Sequence, residues 1–207
     1  MVYSNDSASD PSTSTAVFAL NSPYVLVNNT FVETTKNDPS DYGIIRTYVA
    51  ATAAYSGTMG VFGNNIIVET SSTSDVKRRS VYTNVTKGYD LTTISYGNNV
   101  NTKTTYSTNS THTKSDKDKT GVLLSDLSKN GNYYYWTAGE DETYAYAVPS
   151  NMVAATKANT LIGNSFYNWL VEIGAIVDGQ FTDCRGYLRA ADKMCPGAYE
   201  PFATAAE

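Results

Sequence analysis

The chain has 207 residues, of which 41% are hydrophobic and only 17% charged, with a net charge of -5. That length suits one domain, or one domain with an appendage, and can bury roughly 70% of the unfolded surface. The apolar and aromatic content excludes wholesale disorder, the acidic balance excludes a general nucleic-acid binder, and no apolar run approaches the roughly 18 residues of a membrane-crossing helix.

Uncharged polar residues take the place of charge: 27 Thr, 20 Ser and 18 Asn, beside 17 Tyr. Thr and Tyr suit pleated surfaces, while Asn, Ser and Gly suit turns, so short strands and many bends are expected. The first basic residue is Lys36 and the only early apolar run is 16–20, so no secretory signal is read. Residues 1–14, rich in Ser, Thr, Asn and Asp, read as a flexible arm.

Residues 15–150 follow a β pattern. Runs at 24–27 and 30–33 flank Asn28-Asn29, which reads as a two-residue hairpin turn. Gly57, Gly60 and Gly63 mark a bend, and Asn64-Asn65 precedes another strand at 66–69. Three runs between 80 and 107 read as a meander whose apolar content thins, a ribbon projecting into solvent or against a partner, with a polar loop to about 120. Tyr133-Tyr134-Tyr135-Trp136 and Thr143-Tyr144-Ala145-Tyr146 read as a last hairpin. After Pro149 the period becomes helical. Ile162, Phe166, Trp169, Leu170, Ile173 and Val177 define one amphipathic face, with shorter helices expected at 152–158 and 183–194 and an irregular tail after Pro196. No internal repeat is read.

No residue set points to chemistry. The single histidine, His112, excludes multi-His metal sites. Asp116, Asp118 and Gly121 imitate half of an EF-hand loop, but Leu127 stands where its bidentate Glu belongs. Lys77-Arg78-Arg79 is too short a basic run to outweigh the acidic chain, and Glu140-Asp141-Glu142 reads as a solvated turn. Cys184 and Cys195 would sit roughly 16 Å apart on one helix, beyond the about 7 Å that a disulfide spans. Two free thiols are expected; a disulfide requires the chain to reverse between them.

The aromatic hairpin is the main surface candidate. Alternation sends Tyr133 and Tyr135 to one face and Tyr134 and Trp136 to the other, with Tyr144 and Tyr146 adding to one of them. One face can enter the core. The other needs a second layer, such as the C-terminal helix, or a subunit interface, or a glycan stacked on the rings.

The expected fold is mainly β, with antiparallel sheets in a sandwich- or barrel-like arrangement and a helical segment at 151–207 docked on them, α+β overall. The expected function is that of a structural, non-enzymatic subunit of a larger assembly: a virus or bacteriophage virion protein such as a capsid, connector, tail or decoration component. Its expected partners are copies of itself and other subunits of the particle, without cofactor, metal, nucleic acid or membrane insertion. The alternatives are a surface adhesin or carbohydrate-binding module, extracellular or at the cell surface, that takes host glycan on the Tyr/Trp hairpin, and, more weakly, a carboxylate-based hydrolase.

Overall fold

The Asn-Asn doublets set the path of the chain. Asn28, Asn64 and Asn98 adopt φ of 57°, 56° and 56°, the left-handed region that Asn tolerates better than most residues. The second Asn of each doublet does not. A type I′ hairpin needs positive φ at both central residues, so these doublets turn corners instead of reversing the chain. The computed structural model describes residues 2–4, 17–20, 24–33, 45–49, 57–69, 81–85, 91–95, 97–102, 112–113, 115, 117–136, 164–190 and 194–205.

Around those corners the strands stack as coils of a parallel β-solenoid. The first sheet contains β1 (Val2–Ser4), β4 (Thr30–Glu33), β7 (Ile66–Glu69), β10 (Val100–Asn101) and β12 (Lys119–Thr120), in that order. The second contains β2 (Val17–Leu20), β5 (Ile45–Val49) and β8 (Val81–Val85). The third contains β3 (Tyr24–Val27), β6 (Gly57–Gly63), β9 (Leu91–Ser95) and β11 (His112–Thr113). Every pairing in these three sheets is parallel.

This overturns the antiparallel sandwich or barrel. Antiparallel ladders among the described residues are two short hairpins, β13–β14 (Ser128–Asn130 with Tyr133–Tyr135) and β15–β16 (Ile176–Val177 with Gln180–Phe181). The meander is corrected too: β8, β9 and β10 lie in three different sheets, and Asn99, Val100 and Asn101 are buried. There is an internal repeat. Equivalent asparagines recur 36 and then 34 residues apart, one coil each. Val2–Ser4, assigned to the arm by composition, pairs with β4.

Strand alternation then fills the lumen. Phe31, Ile45, Phe62 and Ile67 form a buried interior cluster with Tyr24 and Leu26 packed against it. Val32, Ile66, Val68 and Val100 point outward from the first sheet, where Leu127 and Trp136 cover them. That sheet is buried on both faces, which explains the unbroken apolar run Ile66-Ile67-Val68.

The second Asn of each doublet forms an inner ladder. The N–H of Asn29 and its Nδ2 donate to Asn65 Oδ1 at 2.9 and 3.3 Å. Asn65 repeats both bonds to Asn99 Oδ1 at 3.0 and 2.9 Å, and Asn99 repeats them to Asp118 Oδ1 at 3.1 and 2.9 Å. The half EF-hand thus has a structural use: Asp118, which needs only to accept, ends the ladder. Asp116 lies outside the described residues.

The C-terminal helix is shorter than its periodicity suggests. α1 (Asn164–Glu172) ends where Gly174, at φ 73°, closes a Schellman motif. Ala175 N–H bonds Leu170 O at 2.9 Å and Gly174 N–H bonds Val171 O at 3.1 Å. Val177 therefore lies in a strand. Residues 183–190 form turns and, at Leu188, two isolated antiparallel bridges to Thr182 and Thr204 in place of a helix. Positions 152–158 lie outside the described residues.

Replacing Asn65 by Ala removes a donor to Leu26 O (2.8 Å) and Asn99 and an acceptor for Asn29. Several buried groups lose partners, so the variant is expected to lose about 3 kcal/mol of unfolding free energy in urea titration.

Candidate functional site

The aromatic hairpin is spent largely inside the molecule. Its described partner strand is 128–130 across Gly131-Asn132, and positions 137–150, including Tyr144 and Tyr146, lie outside the described residues. Trp136 is 8% exposed and, with Tyr134, packs on the outer face of the first sheet. Tyr133 and Tyr135 meet Tyr199, with ring centroids 5.8 and 5.5 Å apart. The second layer for these rings is therefore the loop around Tyr199, not the helix. Lys119 and Lys129 lie 5.5 and 5.0 Å over Trp136 and Tyr134.

That loop is irregular yet buried from Met194 to Glu200. Its peptide groups bond to the Asn corner. Gly197 N–H donates to Asn64 O at 2.8 Å, Ala198 N–H to Thr30 Oγ1 at 2.9 Å, and Asn64 Nδ2 to Cys195 O at 3.0 Å. Gly197 sits at φ 96°, and a Cβ there would lie 2.8 Å from Ile66 Cδ1 and Thr30 Oγ1. Only glycine fits.

Two charged pairs brace the lobe from within. Arg189, 2% exposed, donates to the carbonyls of Thr182, Cys195 and Gly197 at 3.2, 3.2 and 2.6 Å and lies 3.7 Å from the Glu200 carboxylate. Burial pushes the Glu200 carboxyl upward, against the N–H groups of Cys195 and Phe202 and the Arg189 charge. Burial likewise lowers the Arg189 value against the pull of Glu200. Asp183 bonds the Arg185 guanidinium at 2.8 Å, and Arg185 is held between the rings of Tyr187 and Tyr199, 4.6 and 4.3 Å away.

Neither cysteine is in a disulfide; Cys184 is exposed and Cys195 buried. Burial and then the Glu200 charge push the Cys195 thiol far upward, so it is inert as a nucleophile. Cys184 borders an open cleft of about 380 Å³. One wall is the strand edge Val25–Val27 with Asn28 and Asn29; the other includes Leu170, Ala175, Phe181 and Thr182.

Beside the cleft stands an apolar surface. α1 packs on Ile176, Phe181 and Met194 through Tyr167 and Leu170, while Trp169, Val171 and Ile173 are 49, 46 and 53% exposed. The expected apolar face was thus rotated: Leu170 points inward, Trp169 and Ile173 outward. Neither the cleft nor the Asn corner was singled out as a site from sequence. The recurring Asn-Asn doublets carried the signal for the corner, but nothing local to 170–198 announces a cleft formed by docking onto residue 25.

Burial opposes ionisation of Asp183, but the Arg185 side chain and the N–H groups of Arg185, Tyr187 and Glu200 outweigh it and hold the pKa below the ordinary 3.8. A depressed folded value makes Asp183 stabilising above the unfolded pKa, with the contribution lost as pH falls through the folded value. The stability gap between the native chain and Asp183→Asn should be full near neutrality and shrink below about pH 4 in pH-dependent urea titration. Compared with family models, curated proteins and solved structures, the chain matches none.

Proposed function

We propose that this chain is a structural subunit of a larger assembly, of the kind that builds a virus or bacteriophage particle, with copies of itself as its first partners. The observation that carries the reading is the apolar surface of α1 and the turn after it, where Val171 and Ile173 are about half exposed. Large apolar side chains held at a surface are the usual material of contact sites. A stacked solenoid braced by side-chain ladders supplies a stiff body on which such a surface is held in fixed orientation, and the low charge and high Thr and Asn content suit contact rather than catalysis.

Light scattering and negative-stain microscopy of the full chain test this. The expected result is a closed multimer or regular polymer, reduced to monomer by Val171→Glu with Ile173→Glu, whose exposed positions leave folding intact. A native chain that remains monomeric at every concentration overturns the proposal.

A further inference from the structure

We infer that the cleft between β3 and the C-terminal lobe binds an extended polypeptide strand of a partner protein, laid parallel to β3 and carrying an asparagine over Asn29. The strand edge is the first ground. Among the described residues β3 ends its sheet, with β6 on one side. The N–H of Asn28 points to β6, donating to Gly63 O at 3.2 Å, and Leu26 O on the same side accepts Asn65 Nδ2. Successive residues of a strand direct their peptide groups to opposite edges. Val25 and Val27 therefore turn theirs toward the cleft, whose wall they form, with Val27 O accepting Asn29 Nδ2 at 3.0 Å. Such an edge is a template for one more strand.

The second ground is the polarity of the ladder. Each coil's second Asn donates its N–H and Nδ2 to the Oδ1 of the coil that follows. At the first coil this leaves an acceptor: Asn29 Oδ1 receives no hydrogen bond among the described residues, and Asn29 lines the cleft. Among the first asparagines, Asn64 Nδ2 donates to Asn28 Oδ1, while Asn28 Nδ2 is buried without a partner, as are Asn64 Oδ1 and Asn98 Oδ1. An incoming strand with a backbone N–H and an Asn amide at this level repeats the native step of the inner ladder.

The third ground is continuity. β1 already begins a further layer at this end of the stack, with Val2 paired to Phe31 one corner past Asn29. A strand on β3 extends that layer onto the next sheet. The last coil of a second copy is a poor occupant, because its equivalent residue is Asp118. That carboxylate offers no donor, and its N–H is committed to Ser115 O at 3.2 Å. Set over Asn29, it would place oxygen against oxygen.

The test uses the full chain and a dye-labelled synthetic peptide with the sequence of its own residues 58–65, which ends at the asparagine set over Asn29 and leaves β1 in place over Phe31, together with the same peptide with both asparagines changed to Ala. Fluorescence anisotropy should show saturable binding of the first peptide and at least tenfold weaker binding of the second. Alkylating exposed Cys184 with a bulky maleimide, or Cys184→Trp, should weaken binding at least tenfold while the circular dichroism spectrum is unchanged. No saturation by about 1 mM peptide, equal binding of both peptides, or indifference to the block at Cys184 overturns the inference. It stands apart from self-assembly: a monomer that binds the peptide sinks the assembly proposal and keeps this one.

Discussion

The inner asparagine ladder is the interaction on which the rest of this structure depends. A parallel solenoid must turn a corner several times per coil, and each corner removes peptide groups from the regular strand ladder. Buried peptide groups without partners are costly. Asn65 solves this for its corner by accepting from Asn29 and donating to Leu26 O and Asn99. The same side chain thus ties the backbone within one coil and between coils. It also opposes one register slip: a shift that brings Ile66 to this position would place a β-branched side chain where the amide is required.

A ladder of amides has direction, and direction gives the stack two unlike ends. At the C-terminal end Asp118 accepts from Asn99 while its other oxygen accepts the Ser115 N–H at 3.1 Å, which closes the row. At the other end, the first member of the row among the described residues is Asn29, which lines the cleft. The two ends are therefore chemically distinct, and head-to-tail stacking of whole chains through them is poorly matched.

The C-terminal lobe is organised by what it must cover. The first sheet is apolar on both faces, so it needs an external layer, supplied by Leu127, Trp136 and the hairpin. The loop around Tyr199 braces that hairpin and the Asn corner together. Such a loop lacks secondary structure to satisfy its own carbonyls, and the buried Arg189 meets those of Thr182, Cys195 and Gly197. A buried ion pair with Glu200 is weak evidence for net stability; its clearer role is to hold one conformation of an irregular segment. α1 touches this lobe along a narrow stripe, and that leaves Val171 and Ile173 outward.

Most strands are legible in the residues alone, because β-branched and aromatic runs broken by Asn and Gly need no tertiary knowledge to recognise. The sequence also held the period, in doublets at 28–29, 64–65 and 98–99, although each doublet read alone resembles a hairpin turn. Long-range pairing made the choice between corner and reversal. At Asp178-Gly179 both residues take positive φ, 50° and 76°, and the chain reverses into β15–β16; at Asn28 one does, and the partner strand lies 36 residues away. Local propensity specifies which residues tolerate a turn. Whether the freed peptide groups are met across the turn or by the next coil is a long-range choice, and it converted an expected antiparallel fold into a parallel one. The cleft, the outward α1 surface and the use of the tyrosines arise from docking residues 164–205 onto that stack, which no local pattern encodes.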